Sequence, residues 1–345
     1  MGIIIAIMAL GIVIVAHEFG HMMVAKKAGV GVYEFSIGFG PRLWSKKFRD
    51  TVYSLRLLPF GGFVKLAGMD DEEDKPAPKE VSFEAKSVWV RSGIIAAGSL
   101  TNILFGFLIF CFFYGVIGIP ELDNVIQKVA PASPAAIANL QAGDIILQVG
   151  EGQLTENVLK ELLRVTETSM PIMYQRDNET FRTEISRNQN QKLGILFDLK
   201  FERQGVLKAV IVASKTTYQS IYLVFQSLYI LVSGQARMSD MAGPIGLVQL
   251  TSFQYTQGLI PFLNMIALIS VSLGVINLLP IPLLDGGFLF FLMVEVIRKK
   301  AVSKRVLTVC NNVSAFLLIS LSVIIWTNDV VHWQERVVLF KNIFG

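Results

Sequence analysis

The sequence predicts a polytopic α-helical membrane protein that also carries a membrane-associated β-element and one small α+β domain. Its 345 residues are 52% hydrophobic and only 17% charged, and the mean hydropathy is +0.54. Soluble domains are about 45–50% apolar and about 25% charged. The apolar excess lies in four segments of membrane length, whereas one central block has the charge content of a soluble protein.

Net charge and cysteine content exclude two other classes. The formal net charge is +4, from 31 basic and 27 acidic residues, which is too small an excess to indicate nucleic-acid binding. The two cysteines, Cys111 and Cys310, lie far apart inside apolar segments. Neither a disulfide framework nor a cysteine metal cluster is therefore expected.

The first predicted span covers residues 2 to about 25, and its apolar run leads directly into His17-Glu18-Phe19-Gly20-His21. On a helix, His17 and His21 lie one turn apart and project from one face. Two imidazoles in that position can share one metal ion. This is the H-E-x-x-H spacing of zinc hydrolases, in which the intervening glutamate is the general base.

Chance is a poor explanation of this motif because of where it lies. An ionisable side chain inside a membrane costs roughly 2.5 to 3.5 kcal/mol or more, and three such side chains stand at the end of this apolar segment. We therefore expect His17 and His21 to bind a metal ion and Glu18 to be catalytic.

A strand-like pattern follows the first span. Runs at Val30 to Gly40 and Thr51 to Leu58 alternate or are interrupted by glycine, and the adjacent Gly61 and Gly62 come next. This pattern predicts short strands and turns, which form a small β-element over about residues 30–68 near the metal helix. The acidic run at residues 70–74 is predicted to be a solvated loop.

The second predicted span, about residues 92–118, completes the first half of the membrane core, residues 1–118. Its notable polar residues are Ser99, Thr101 and Asn102. Asn102 either faces the catalytic interior or hydrogen-bonds another helix, and the sequence leaves both alternatives open.

The block at residues 119–206 loses all long apolar runs. A strand at Val125 to Val129, a short helix after Pro131 and a turn at Gly143-Asp144 resemble a PDZ domain. Such a domain can bind an extended peptide as an added strand, or it can filter substrates by size without holding a peptide. Both alternatives stay open.

Residues 207–258 are predicted to be a linker with an interfacial helix. The apolar stretch from Tyr218 to Ser233 has 16 residues, which suits an interfacial or packed helix better than a span. The Ala242-Gly243-Pro244-Ile245-Gly246 sequence then breaks the chain.

The second half of the membrane core, residues 259–345, contains the third and fourth predicted spans. The third, about residues 259–297, is interrupted by two prolines and two glycines around Asp285, and the helix is expected to resume at Phe288. Irregular backbone at membrane depth must be buried in protein or line a cavity. The fourth span covers about residues 306–326.

Basic residues predict the orientation and a third metal ligand. Lys26, Lys27, Lys86 and Arg91 flank the connection between spans one and two, and Arg298, Lys299, Lys300, Lys304 and Arg305 lie between spans three and four. The positive-inside rule places both connections in the cytoplasm, and the PDZ-like block and both termini outside. Asp285 then reaches the depth of the histidines and is the natural third ligand, leaving a fourth position for water.

Four separated motifs together resemble the site-2 protease family of intramembrane zinc metalloproteases, in particular the bacterial regulator-of-sigma-E protease group. They are His17 to His21, Leu58 to Lys65, the PDZ-like block, and Asn277 to Gly287. Many members of this group carry two tandem PDZ domains, whereas the residues here suffice for one. The family's G-P-x-x-N pattern in span two appears as Gly98-Ser99-Leu100-Thr101-Asn102.

The resemblance implies roles for individual residues. His17, His21 and Asp285 would hold Zn²⁺, and Glu18 would be the base. Substrate binding would involve Asn277, Asn102, Gly61 and Gly62, with the β-element holding an unwound substrate by strand addition.

The resemblance further implies hydrolysis of a peptide bond within or near the transmembrane segment of a single-pass protein in the bacterial inner membrane. An anti-sigma factor or a remnant signal peptide would be such a substrate. The alternative is a membrane PDZ scaffold with a non-catalytic metal site, which loss of Glu18 or a closed four-ligand site would indicate. A protease of soluble proteins outside the membrane conflicts with the cytoplasmic depth of the histidines.

Overall fold

The computed structural model describes residues 1–69, 77–150, 169–186, 193–203, 205–235 and 243–333. The chain divides into two compact units. The membrane unit comprises Met1–Phe113 and Val210–Gly345, and the sheet unit comprises Tyr114–Ala209. The predicted acidic loop at residues 70–74 and parts of the PDZ-like block lie outside the described residues.

Helices and strands alternate unevenly along the chain. The helices are α1 (Gly2–Lys27), α2 (Val88–Phe112), α3 (Pro134–Ile137), α4 (Val206–Val232), α5 (Pro244–Thr256), α6 (Leu259–Asn277), α7 (Asp285–Arg298) and α8 (Lys304–Val331). The strands are β1 (Val32–Phe48), β2 (Thr51–Leu66), β3 (Ile119–Val129), β4 (Ile145–Val149), β5 (Ser169–Arg176), β6 (Glu179–Ser186) and β7 (Ile195–Glu202). A π-helical turn, Phe113–Ile117, extends α2.

Four helical segments of the described chain are long and apolar enough to cross a membrane. They are Gly2–Lys27, Val88–Ile117, Leu259–Asn277 and Arg305–Val331. The four predicted spans are thereby confirmed as apolar helices. Within the membrane unit, α2 packs against both α1 and α6, and α5 packs against α1.

Strands β1 and β2 form one long antiparallel hairpin in place of the short strands that the sequence predicted. Its base packs on the membrane helices, where Phe35 and Leu66 join Ile94 and Met22 in a buried cluster. The pairing register shifts repeatedly along the hairpin, as β-bulges do. The β-element is therefore anchored to α1 and α2.

The break in the third span runs between α6 and α7, and its end differs from the prediction. Asp285 is the first residue of α7, so the helix resumes three residues earlier than Phe288. A carboxylate in the first turn of a helix is favoured by the helix dipole. This explains why α7 begins at the acid.

The predicted extent of the interfacial helix is wrong. Residues 218–232 belong to α4, a helix of 27 residues that begins at Val206. No glycine or proline interrupts this stretch, so no local signal ends the helix before Val232. Its length therefore does not argue for an interfacial position. By composition, α4 is not among the four candidate spans in the described residues.

The predicted chain break near Gly243 marks the beginning of α5. Gly243 is its N-cap and Pro244 its first residue. The carboxylate of Asp329 in α8, fully buried, accepts hydrogen bonds from the backbone N–H groups of Gly243, at 3.0 Å, and Gly246, at 2.9 Å. A side chain of α8 thus caps α5 within the membrane unit.

The sheet unit is a five-stranded antiparallel sheet in the order β6-β5-β4-β3-β7. Alternate residues of its strands, including Ile126, Ile146 and Ile172, are fully buried in one core. At the predicted Gly-Asp turn, the buried Asp144 accepts hydrogen bonds from Arg176 at 2.7 and 2.8 Å. The sheet unit therefore has its own hydrophobic core, and the Asp144–Arg176 ion pair fixes its Gly-Asp turn.

Candidate metal centre

The predicted ligands lie together in the membrane unit. Nε2 of His17 and Nε2 of His21 are 3.2 Å apart, and Oδ2 of Asp285 lies 3.3 Å from the first and 3.5 Å from the second. Both histidines are buried, and the Asp285 side chain is 16% exposed. His17 and His21 are one helical turn apart, whereas Asp285 lies 264 positions after His21. The ligand atoms of these three residues thus form one triangle.

This triangle has the dimensions of a zinc site. Tetrahedral zinc with bonds of about 2.0–2.1 Å to nitrogen and oxygen keeps its ligand atoms roughly 3.3–3.4 Å apart. The three observed separations lie close to that value. A set of two imidazoles and one carboxylate is also typical of catalytic zinc. The residues therefore fit a zinc ion.

Helix α2 contacts each of the three ligand residues. Nδ1–H of His21 donates to the backbone carbonyl of Ile94 at 2.8 Å, which leaves Nε2 free to be a ligand. The hydroxyl of Ser99 donates to Oδ2 of Asp285 at 2.9 Å. The side-chain amide of Asn102 lies 3.4 Å from Nδ1 of His17.

A glycine allows α2 to approach this closely. A Cβ atom at Gly98 would overlap the imidazole ring of His21. Any larger residue at this position would push α2 away from the histidines. The close approach therefore depends on Gly98.

Strand β2 passes beside Glu18. The carboxylate of Glu18 is hydrogen-bonded by the backbone N–H of Val64. A Cβ atom at Gly62 would meet the side chain of Glu18 at 3.4 Å and the carbonyl oxygen of Ser36 at 2.7 Å. The hairpin thus lies against the residue between the two histidines.

The other predicted site residues differ in their distance from the ligands. Gly61, in a left-handed conformation with φ of 104°, lies against the ring of Phe39 in the hairpin. Asn277 is half-buried at the last position of α6, immediately before the break. Asn102 is fully buried beside His17, and no group in the described part of the chain hydrogen-bonds its Oδ1 atom. Their predicted contacts with substrate stay predictions.

Sequence reasoning missed three contacts of this centre. It singled out Ser99 as a polar residue in an apolar span but did not pair it with Asp285. The contributions of Ile94 and Val64 come from their backbones, and no side-chain pattern indicates them. Only the polar residue in span two carried a signal in the sequence.

A bundle of apolar helices that holds an H-E-x-x-H helix against an aspartate defines a membrane metallopeptidase. The model of peptidase family M50 matches residues 5–321. The chain therefore belongs to peptidase family M50. It is a zinc metalloprotease located in a membrane.

Bacterial relatives of this chain match it over almost its whole length. The regulator of sigma-W protease RasP of Bacillus subtilis is 28% identical, over 95% of this chain and 98% of the relative. The zinc metalloprotease RasP of Bacillus licheniformis is 29% identical, over 95% and 98%. The regulator of sigma E protease of Haemophilus influenzae is 27% identical, over 94% and 97%.

Proposed function

We propose that this chain is an intramembrane zinc metalloprotease in which His17, His21 and Asp285 hold the zinc ion and Glu18 is the general base. The triangle of three ligand atoms carries this proposal. Its edges have the length that tetrahedral zinc requires, and its members come from α1 and α7. With three protein ligands, a fourth position is left for water, as in catalytic zinc sites.

The zinc ion would supply a Lewis acid that acidifies water and polarises the scissile carbonyl. Glu18, next to His17 on α1, would take the proton of the attacking water on its carboxylate. It would then deliver that proton to the leaving amine. The backbone N–H of Val64 would hold the carboxylate in place for both transfers.

We infer that the substrate is a single-pass transmembrane protein that binds as a strand. A transmembrane helix hides its amide bonds, so it must unwind before hydrolysis. Among the described residues, β1 and β2 pair only with each other, so each has an outer edge. An unwound segment added to the hairpin would recover backbone hydrogen bonds beside Glu18. Gly61, Gly62 and Asn277 would contact that segment, and Asn102 would support it from α2.

Regulated intramembrane proteolysis fits the relatives. RasP of Bacillus subtilis is named a regulator of sigma-W and the Haemophilus influenzae protein a regulator of sigma E. By analogy, an anti-sigma factor is a substrate candidate for this chain, and a remnant signal peptide is a second one.

We also propose that the sheet unit is a single PDZ-like domain on the outer side of the bacterial inner membrane. Its support is the buried five-stranded core and the Asp144 turn. The sheet unit would either bind an extended peptide or admit substrates by size.

The scaffold alternative is not favoured. It requires a site without catalytic chemistry, but the chain belongs to a peptidase family and keeps Glu18 between the two histidines. In the described residues, the cluster has three ligand residues and is not a closed four-ligand site.

The test compares wild type with Glu18→Gln. Each protein is assayed in membranes for cleavage of a tagged single-span substrate, and its zinc content is measured. We expect Glu18→Gln to lose cleavage and to keep zinc, because it removes the base and leaves all three ligands in place.

Glu84→Gln, which changes an exposed glutamate of the same unit, is the matched control and should cleave normally. Equal cleavage by wild type and Glu18→Gln would refute the catalytic role of Glu18 and bring the scaffold alternative forward.

A further inference from the structure

The hydroxyl of Ser99 makes a contact that the catalytic proposal does not use. Ser99 is fully buried in α2, and its Oγ donates to Oδ2 of Asp285 at 2.9 Å. This is the same carboxylate oxygen that faces Nε2 of His17 and Nε2 of His21. One hydroxyl therefore holds the atom that completes the ligand triangle.

Three other buried helical hydroxyl groups of the membrane unit donate within their own helix, whereas that of Ser270 donates to the backbone carbonyl of Asn102. A buried serine or threonine in a helix commonly donates to the carbonyl oxygen four residues earlier. Thr217, Ser220 and Thr251 are buried and follow this rule at 2.7–2.8 Å. Ser99 instead donates to a residue 186 positions along the chain. Its hydroxyl is directed toward the metal centre and does not satisfy its own helix.

Asp285 depends on such a contact because of its place in the chain. It is the first residue of α7 and follows an irregular segment, so the helix restrains its side chain on one side only. Among the described residues, Ser99 is the one whose side-chain hydroxyl hydrogen-bonds this carboxylate, beside the two histidines. Without the hydroxyl, the carboxylate can rotate away from the histidines.

We infer that Ser99 is a positioning residue that aims Oδ2 of Asp285 at the zinc position and thereby sets the zinc affinity of the centre. This inference rests on the proposed ligand set. Hydrogen bonds to a carboxylate ligand fix its orientation, and loss of such a partner typically costs about 10–100-fold in metal affinity.

The experiment measures the zinc dissociation constant of the purified full chain in detergent by competition with a chelator. Ser99→Ala removes the hydroxyl, and Ser99→Thr restores it. Ser220→Ala, which removes a buried serine hydroxyl of α4, is the matched control. Cobalt substituted for zinc gives a second readout, since its visible absorption reports ligand geometry.

We expect Ser99→Ala to raise the zinc dissociation constant by about 10–100-fold and to change the cobalt spectrum. Ser99→Thr should stay close to wild type in both measurements, and so should Ser220→Ala. The thermal unfolding midpoint of the metal-free proteins should be similar for Ser99→Ala and Ser220→Ala, which separates metal positioning from folding.

Wild-type zinc affinity in Ser99→Ala would overturn the inference, and so would an equal loss of zinc affinity in Ser99→Ala and Ser220→Ala.

A different variant tests the proposed ligand set. If Asp285→Asn binds zinc as tightly as wild type, then the proposed ligand set is wrong. If Asp285→Asn loses zinc while Ser99→Ala keeps it, only the role of Ser99 is wrong.

Discussion

Asp285 supplies the one negative charge of the ligand triangle. The other two ligands are imidazoles, which must be neutral to bind a metal ion. As a proposed ligand, the carboxylate would therefore compensate part of the charge of Zn²⁺ in a largely buried site. For zinc binding, the negative charge of the Asp285 side chain is therefore expected to be more important than its size.

Asp285→Asn should lower the amount of zinc retained per purified protein, because an amide oxygen is a neutral and weaker ligand than a carboxylate. We expect at least about a tenfold loss of zinc affinity, because loss of a residue that only hydrogen-bonds a metal ligand already lowers metal affinity by that factor. Elemental analysis after dialysis measures it. Asp177→Asn, an exposed aspartate of the sheet unit, should retain all zinc. Full occupancy and normal cleavage in Asp285→Asn would exclude Asp285 from the ligand set.

At the scale of the elements, a polar network fixes the β1–β2 hairpin. Glu34 is buried, and its carboxylate accepts hydrogen bonds from Ser54 at 2.6 Å, Arg56 at 2.9 Å and Arg42 at 2.6 Å. Burial raises the pKa of Glu34, but these three donors outweigh that effect and hold its pKa below the ordinary value. The hairpin beside Glu18 is thus joined across its strands by an ionised carboxylate.

Glu34→Gln should destabilise the protein by about 1–3 kcal/mol at pH 7, because two arginines lose their charged acceptor. A carboxylate with a lowered pKa contributes stability above its unfolded pKa of about 4.3 and loses it as the pH falls through the folded value. The stability difference between wild type and Glu34→Gln should therefore shrink below about pH 4.3.

The midpoint of thermal unfolding, followed from pH 7 to pH 3, measures this effect. Glu84→Gln changes an exposed glutamate and should match wild type at every pH. A Glu34→Gln protein as stable as wild type at pH 7 would show that the network does not stabilise the hairpin.

The cap on α5 is a second contact at this scale. Asp329→Ala leaves the N–H groups of Gly243 and Gly246 without their acceptor in a buried position. We expect a loss of about 1–2 kcal/mol, as for other helix caps. Chemical denaturation measures it against Thr327→Ala, an exposed residue of α8 that donates within its own helix. Equal stability of these two variants would contradict a capping role.

At the scale of the whole molecule, the ligand triangle restricts the number of membrane crossings. His17 and His21 lie in the second half of α1, and Asp285 follows the end of α6, so both helices must reach the same depth in the same direction. A single additional crossing by α4 would reverse α6 relative to α1. The metal centre therefore supports four crossings and a non-spanning α4.

Single-cysteine labelling tests this topology. With Cys111 and Cys310 replaced by serine, Asp177→Cys should react with a membrane-impermeant reagent in cells whose outer barriers are removed. Lys300→Cys should react only after the membrane is permeabilised, because the positive-inside rule predicts that the basic connection lies in the cytoplasm. Both positions are exposed, so labelling reports the side of the membrane. The reverse pattern would overturn the orientation.

The sequence by itself determined the four apolar spans, the H-E-x-x-H pair and the acid in the broken helix. These are local properties: apolar length defines a span, and helical spacing places His17 and His21 on one face. The sequence also located the break before Asp285, since prolines and glycines interrupt a helix wherever they occur.

Only the tertiary structure decided which groups surround the ligands. The carbonyl of Ile94 meets His21 from 73 positions away, and the hydroxyl of Ser99 meets Asp285 from 186 positions away. Such contacts depend on the rotation of α2 and its distance from α1, which the close approach at Gly98 allows. The spacing of residues along the sequence gives neither the rotation of α2 nor its distance from α1. The hydrogen-bond partners of the ligands can therefore be identified only from the packed helices.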